Sequence, residues 1–481
     1  MLTRRRFVSY SALSSSMLAC PPLVRSAFSQ PSSTQRPLRL AILGSTYRRG
    51  SNLQTIADRF LVGYPYEGDW HMPNVQVVSV YVDERVRRAT AAPNEFQLAI
   101  TGRARRAQTP KPAPPSGAKP TIDERWEPMA PSSEEQGLTS DLSPARAQQF
   151  GFRLCHNIPE ALRCGGDRIA VDAVLTVIEQ CSDYPYPSND RGQILLPRYD
   201  FFQQCAQVFE AEQHAVPYFN HKQLSFSFSE AQSMVKTAER LKFPLMAGSS
   251  MPVTWRLPDV DIPLGARVQE AVIVGVGGMD DTDFDALEAM QCMLERRKGG
   301  ETGVKAVQLL EGDDVWVAGK AGRWSKDLLT SALSRSDTPL GLTILDGRNQ
   351  DLVGDGALPQ LVKDPAAYCI EYTDGTKATL LMLNGAIKDF NISARLAGQD
   401  LISTQFFMPP TPNETFSACL AAKIDQMYQT HATPYPIQRT LLTTGLLEAC
   451  LNSRHHLNQR LETPHLIESY QPPEESQYVR T

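Results

Sequence analysis

A chain of 481 residues is long for one domain and is typical of two. Its 42% hydrophobic and 21% charged residues are ordinary for a soluble globular protein with a sizeable core. The formal net charge of −5 gives no basis for nucleic-acid binding, and no stretch reaches the roughly 18 to 20 apolar residues of a membrane-spanning helix. The nine cysteines include no CxxC pair, so we predict mostly buried thiols and no metal site.

Residues 1–35 have the pattern of an export signal. Paired arginines before a phenylalanine, in the run Arg4 to Phe7, precede a weakly apolar stretch rich in serine and alanine. The twin-arginine translocase, which carries folded proteins, reads this pattern. We therefore expect an exported, periplasmic protein with that translocase as its partner during export. A basic N-terminus without a targeting role is the alternative, and lipid attachment at Cys20 is a minority one.

The chain after the signal begins with the elements of a βαβ unit. Leu38 to Gly44 is an apolar run ending in glycine, which predicts a buried strand. A loop leads to Ser51, whose hydroxyl can cap a following helix. Val75 to Val82 is a second β-branched run that ends before Asp83. Strand, glycine turn, helix and strand together predict a nucleotide-binding type of fold.

Alternating strands and helices continue to residue 255, apart from a proline-rich and charged segment at 103–149 that we predict to be a disordered insertion. Apolar runs predict strands, and amphipathic stretches predict the helices between them. The strands are predicted at 170–178, 216–219 and 243–248, and the helices at 199–213 and 229–241. This order predicts a Rossmann-type, doubly wound parallel sheet with helices on both faces.

The pattern changes after Pro258. A strand at 268–276 and a helix at 283–297 are followed by alternating, half-buried strands, and Asp374-Gly375 is a hairpin signal between two of them. We predict an α+β domain with an open, mainly antiparallel sheet and helices on one face, closed by a helix at 440–454. The predicted division is 1–35 signal, 36–255 Rossmann-like domain, 256–438 substrate and oligomerisation domain, and 439–481 C-terminal helix and tail.

This order of elements resembles the glucose–fructose oxidoreductase, inositol dehydrogenase and rhizopine-catabolism (Gfo/Idh/MocA) family. The resemblance covers nearly all of the chain after residue 38 and is most telling over Val216 to Trp255 and around the helix that begins near Asp281. It implies an oxidoreductase that uses a tightly bound NAD or NADP on a small carbohydrate-like substrate. It also implies a homo-oligomer through the apolar face of the C-terminal sheet.

The cofactor is expected at the loop from Gly44 to Gly50, where the family has its dinucleotide loop. Only two glycines remain here, so a loop that no longer binds nucleotide is the alternative. Arg48 suits a phosphate, and Asp83 suits the ribose hydroxyls. The residues assigned to cofactor binding are Gly44, Ser45, Thr46, Arg48, Gly50, Asp83 and Glu179.

Lys222 falls on the lysine of the family's Glu-Lys-Pro motif, but His221 and Gln223 replace its neighbours. The resemblance implies that Lys222 orients the reacting hydroxyl. The position of the family's catalytic histidine is Asp285, so Asp285 or His221 is assigned to move the proton. Glu288 matches a family aspartate one turn later and is assigned to the substrate.

Carboxylate, aromatic and cationic side chains lie beyond the predicted strand at 170–178, at the sheet edge where ligands bind in such folds. We assign Asp183, Tyr184 and Arg198 to the substrate. The leading hypothesis is an exported NAD(P)-dependent oxidoreductase acting on a sugar, polyol or carbohydrate derivative. A degenerate family member that serves as a carbohydrate-binding or scaffold protein is the alternative, and non-redox glycoside cleavage is a third.

Overall fold

The computed structural model describes residues 36–85, 141–181, 185–398, 401–409 and 415–480. The predicted export signal with Cys20, most of the proline-rich insertion, and Asp183 with Tyr184 lie outside these residues. Within the described ranges, no helix is long and apolar enough to cross a membrane. The eight cysteines described there are all unbridged, and seven of them are buried.

The first sheet has six strands in the order β5-β4-β1-β6-β7-β8, and all neighbours pair in parallel. Its strands are β1 Leu38–Gly44, β4 Val75–Val82, β5 Arg153–Cys155, β6 Ala173–Val177, β7 Tyr218–His221 and β8 Leu245–Gly248, and a small hairpin of β2 Tyr64–Tyr66 and β3 Asp69–His71 stands apart. The strand order reverses between β1 and β6, which is where ligands bind in open sheets of this kind. The predicted doubly wound parallel sheet is confirmed.

Helices cover both faces of this sheet. They are α1 Asn52–Val62, α2 Ser143–Phe150, α3 Ile158–Arg163, α4 Arg198–Glu212 and α5 Phe228–Leu241. The predicted cap of α1 is confirmed, because Ser51 Oγ accepts from the N–H of Gln54 at 3.1 Å. The predicted insertion at 103–149 overlaps α2, which begins at Ser143 and ends at Phe150. This helix starts with Pro144 in its first turn and ends at Gly151 with a φ of 76°.

The second sheet has eight strands in the order β16-β11-β12-β13-β10-β14-β15-β9. They are β9 Trp255–Leu257, β10 Val268–Gly275, β11 Val304–Glu311, β12 Ala366–Tyr372, β13 Lys377–Met382, β14 Phe390–Leu396, β15 Ile402–Phe407 and β16 Leu461–Glu462. Every pair is antiparallel except β10 with β13. The sheet is therefore open and mainly antiparallel as predicted, and β12 and β13 form the predicted hairpin around Asp374-Gly375, where Gly375 has a φ of 90°.

Helices cover both faces of the second sheet as well. On one face lie α6 Thr282–Leu294 and α12 Ile437–His455; on the other the chain folds α7 Asp313–Lys320, α8 Lys326–Leu333, α9 Leu342–Asp346 and α10 Leu358–Leu361. Val315, Trp324 and Leu328 from this second group form one apolar cluster with Val272, Val274 and Leu381 of the sheet. The prediction of helices on one face was wrong. A homo-oligomer through this sheet stays a prediction.

Late in the sequence, the chain packs against the first sheet again. Helix α11 Phe416–Thr430 packs on α1 and on the first sheet: Arg59 Nε donates to Ser417 Oγ at 3.1 Å, and Tyr428 Oη donates to the carbonyl of Val174 at 2.8 Å. Helix α12 then packs against α5, α6 and β11 and so contacts both halves. Residues 416–430, which we predicted in the second domain, thus belong to the core of the first.

Candidate functional site

Two adjoining cavities lie at the carboxyl ends of the first sheet's strands, facing the start of α6. The larger has a volume of about 370 Å³ and the smaller about 220 Å³. Asn52, His221, Lys222 and Asp281 line both of them. Five residues predicted from the sequence meet here: His221 and Lys222 line both cavities, Glu179 and Arg198 line the larger and Asp285 the smaller.

Lys222 is held in an uncommon backbone conformation just after β7. Its φ is 63°, in the left-handed region that a non-glycine residue adopts at some cost in free energy, and its N–H donates to the carbonyl of Gly248 at 3.0 Å. Its Nζ lies 2.6 Å from Asp281 Oδ1 and 3.2 Å from Asp285 Oδ2. Burial alone would lower the pKa of this ammonium, but Asp285 and Asp281 raise it above its usual value.

Asp285 lies one turn into α6, half-buried beside this ammonium. Burial raises its pKa to about 6, although the charge of Lys222 acts in the opposite direction. Among the described residues, its Oδ1 has no hydrogen-bond partner. Asp285 is therefore a carboxyl group that can exchange a proton near neutral pH.

His221 is also buried at the wall of both cavities, and its Nδ1 has no hydrogen-bond partner among the described residues. Burial, followed by the charges of Lys222 and Arg198, lowers the pKa of His221 well below its usual value. The imidazole is thus neutral at pH 7.

Arg198 begins α4 and is only 3% exposed. Its Nη2 donates to the carbonyl of Ile178 at 3.1 Å, whereas its Nε and Nη1 have no partner within the described part of the chain. Burial lowers the pKa of this guanidinium to about 10, against the nearby charges of Asp280 and Asp281. It remains a cation at neutral pH, and this residue lines the larger cavity.

The structure does not support the predicted substrate contact of Glu288. This side chain is 1% exposed and lines neither cavity. Its Oε2 accepts from the N–H of Ser249 at 2.6 Å and its Oε1 accepts from Thr440 Oγ1 at 2.9 Å. Glu288 instead joins the end of the first sheet to α6 and α12.

Replacing Glu288 with glutamine should stabilise the protein above neutral pH. Burial raises the pKa of Glu288 from 4.5 to about 7. The protonated side chain therefore contributes its full share of the unfolding free energy below pH 4.5, and this contribution is lost as the pH rises through 7. A glutamine can accept from Ser249 and donate to Thr440, whose hydroxyl still has the carbonyl of Ala247 as an acceptor. We expect a gain in unfolding free energy on the order of 2 kcal/mol at pH 8.

Urea unfolding at pH 5 and pH 8 tests this expectation. The gain of Glu288→Gln over the wild type should be small at pH 5 and should grow with pH. If Glu288→Gln changes the unfolding free energy equally at both pH values, or lowers it at pH 8, ionisation of Glu288 does not destabilise the folded protein.

The predicted dinucleotide loop is folded against the protein. Gly44 is required for the approach of strand and helix, because a Cβ there would lie 2.3 Å from Leu53 Cδ2. Ser45 Oγ accepts from the N–H of Glu179 at 2.9 Å and donates to its carbonyl at 2.8 Å. Thr46 Oγ1 donates to Glu84 Oε2 at 2.5 Å, and Arg48 forms an ion pair with the same carboxylate.

Glu179 places its carboxylate at the amino end of α1. Its Oε2 accepts from the backbone N–H of Asn52 at 3.0 Å and from Asn52 Nδ2 at 3.1 Å, and its Oε1 accepts from the N–H of Leu53 at 3.1 Å. These backbone donors and the helix dipole favour an anion. Glu179, predicted to bind cofactor, therefore lies at the amino end of α1, a position that favours a bound anion.

The remaining predicted residues lie around this centre. Asp83 accepts from Tyr186 Oη at 2.6 Å and from Tyr81 Oη at 3.2 Å, and Gly50 lies at an exposed turn with a φ of 75°. Sequence reasoning missed Asp280 and Asn52 as lining residues. Asp280 follows a glycine pair and has a φ of 58°, a local signal of a tight turn that brings a carboxylate back toward the sheet. In the described ranges, no group of three or more histidine, cysteine or acidic residues is placed to hold a metal ion.

No protein-family model and no curated protein matches this sequence. Solved structures do resemble it. GenD2 of gentamicin A biosynthesis, solved with NAD, is 11% identical with a TM-score of 0.49. The match covers 90% of this chain and 98% of the GenD2 chain. Myo-inositol 2-dehydrogenase from Lactobacillus plantarum is 12% identical with a TM-score of 0.45. The match covers 89% of this chain and 99% of the dehydrogenase chain.

A third similar structure is myo-inositol dehydrogenase from Lactobacillus casei in complex with NAD(H) and myo-inositol. It is 8% identical with a TM-score of 0.46, and the match covers 88% of this chain and 96% of that one. At such identities the likeness concerns the fold, so the chemistry of this chain depends on its own side chains.

Proposed function

We propose that the chain is a divergent member of the Gfo/Idh/MocA family and an NAD(P)-dependent oxidoreductase that acts on a sugar, polyol or carbohydrate derivative. The observation that carries this proposal is the largely buried contact of 3.2 Å between Lys222 and Asp285, whose side chains are 9% and 15% exposed, at the switch-point edge of the first sheet. A proton-exchanging carboxyl beside a fixed ammonium is suited to a reacting hydroxyl group.

The residues present fit a nicotinamide dinucleotide in kind and in place. The amino end of α1 faces the larger cavity through Asn52, and the buried Nδ1 of His221 is without a partner in the described ranges. Asn52 and Leu53 would hold the pyrophosphate with their amides. The bound group would supply the acceptor or donor of hydride. Glu179 must first leave those amides.

The substrate hydroxyl is proposed to lie against the Lys222–Asp285 pair, within reach of both side chains. The ammonium, kept charged by its two carboxylates, donates to the hydroxyl oxygen and orients it. The proton passes to Oδ1 of Asp285, the oxygen that has no partner among the described residues. His221 is neutral and buried and forms part of the wall of the site.

Small molecules released by denaturing the purified, natively exported protein test this function. We expect NAD or NADP by mass spectrometry, close to one per chain, because a periplasmic enzyme has to carry its cofactor with it. A protein that is empty and also binds neither added dinucleotide by calorimetry is not an oxidoreductase of this type.

The second candidate is a carbohydrate-binding or scaffold protein that has lost its chemistry. The bonds of Glu179 to the amides of α1 favour it, as do those of Thr46 and Arg48 to Glu84. Carbohydrate binding without any dinucleotide in the same measurements would support this second function.

We also propose export through the twin-arginine translocase, on the basis of the arginines before Phe7. Lysines in place of Arg4, Arg5 and Arg6 keep the charge and remove the recognised side chains. We expect the variant to stay in the cytoplasm while the wild type reaches the periplasm, as seen by cell fractionation. Equal export of both would rule out this route.

A further inference from the structure

We propose that Glu179 is an internal anion that keeps a phosphate site closed, and that a phosphate-bearing ligand binds by displacing it. This inference rests on the proposed function, and it concerns how the cofactor position is controlled. The parallel sheet places the amino end of α1 at the switch point, where the phosphate of a nucleotide binds in such folds. In this chain the carboxylate of Glu179 already accepts from the two amides there.

The position of Glu179 is fixed from its backbone as well as from its carboxylate. Ser45 Oγ bonds both the N–H and the carbonyl of Glu179, which ties the end of β6 to the loop after β1. Glu179 is half-buried, and burial raises the pKa of its carboxyl against the effect of the helix amides. A displaced Glu179 side chain can turn into the larger cavity, whose wall it already forms.

Arg198 is an independent sign that the larger cavity takes an anion. It is buried, lines that cavity and has no partner for its Nε and Nη1 in the described part of the chain. The carboxylates near it are engaged elsewhere: Asp280 accepts from the N–H of Ile194 at 2.6 Å, and Asp281 pairs with Lys222. Buried hydrogen-bond donors without an acceptor cost free energy. Arg198 is therefore the cation available to bind a phosphate.

The ligand chemistry is a phosphoanion, supplied either by the pyrophosphate of a nicotinamide dinucleotide or by free pyrophosphate. Calorimetry with inorganic pyrophosphate, NAD and NADP on the full chain distinguishes these sources. The variants are Glu179→Gln, Glu179→Ala and the double variant Glu179→Ala/Arg198→Gln. Glu160→Gln is the matched control, because Glu160 lies in the first turn of α3, accepts from the N–H of His156 at 2.8 Å and lines neither cavity.

We expect Glu179→Ala to bind pyrophosphate at least about tenfold more tightly than the wild type, with Glu179→Gln in between. The double variant should lose much of this gain, and Glu160→Gln should equal the wild type. Equal affinity of the wild type and Glu179→Ala overturns the inference, as does absence of pyrophosphate binding in both Glu179 variants when their circular dichroism is native. Pyrophosphate binding by Glu179→Ala without binding of either dinucleotide supports the inference and refutes the proposed function.

Discussion

Replacement of Lys222 by methionine should lower kcat/KM for the proposed oxidation by about 10²- to 10⁴-fold, the usual range for loss of a group that assists proton transfer. Methionine keeps most of the volume of the side chain but removes the ammonium that contacts Asp281 and Asp285. The substrate hydroxyl then has no cation to orient it, and two carboxylates lose their partner.

The pH profile separates this chemical role from a merely structural one. Asp285 must be ionised to accept a proton, so the wild-type activity should fall as the pH drops through about 6, the value to which burial raises the pKa of Asp285. The charge of Lys222 lowers that pKa, and its removal should move this limb of the profile to higher pH.

Lys236→Met, at an exposed position of α5, is the matched control and should behave as the wild type. If thermal melting shows that Lys222→Met is folded, and the variant keeps full activity with an unchanged pH profile, Lys222 has no role in the mechanism.

Replacement of Arg439 by methionine should destabilise the protein by about 3–5 kcal/mol, the cost typical of breaking a buried ion pair from one side. Arg439 and Glu295 have side chains that are 4% and 1% exposed, with Nη2 2.5 Å from Oε1 and Nε 2.8 Å from Oε2. The Arg439 guanidinium also lies 4.5 Å from the centre of the Tyr435 ring. Removal of the arginine leaves Glu295 buried with Tyr470 Oη as a donor at 2.8 Å.

Chemical denaturation measures this loss. The exposed pair of Arg240 with Glu210, between α5 and α4, supplies the matched control: Arg240→Met should cost no more than about 0.5 kcal/mol. If Arg439→Met unfolds at the wild-type denaturant concentration, the pair does not stabilise the junction of α6 and α12.

Local chemistry explains why much of the fold could be predicted from the sequence. Ser51 has a hydroxyl at the right distance before a helical apolar face, and Asp374-Gly375 supplies the backbone conformation that a hairpin needs. The helices at 313–361 were not predicted, although Ser325 caps α8 and Leu328, Leu329 and Ala332 form its buried face. Their packing over Val272, Val274 and Leu381 joins distant segments, and no local pattern shows such a contact.

The site was predictable in location and less so in detail. Lys222 and Asp285 meet because a strand end and a helix start face each other, an arrangement that the order of elements implies. The bonds of Glu179 to the α1 amides join residues more than 120 positions apart. Their spacing in the sequence does not show whether the carboxylate blocks the helix amides or contacts a ligand. The partners of Glu288, Ser249 and Thr440, likewise come from separate parts of the chain, so its contacts could not be predicted from the sequence.

The late return of α11 to the first sheet has a consequence for synthesis on the ribosome. Tyr428 and the rest of this helix complete the core that β1, α1 and β6 begin. A nascent chain therefore exposes one apolar side of its earliest sheet until Phe416–Thr430 has emerged from the exit tunnel. The N-terminal half should be bound by chaperones for almost the whole of translation, and fragments that stop before residue 416 should be recovered as aggregates.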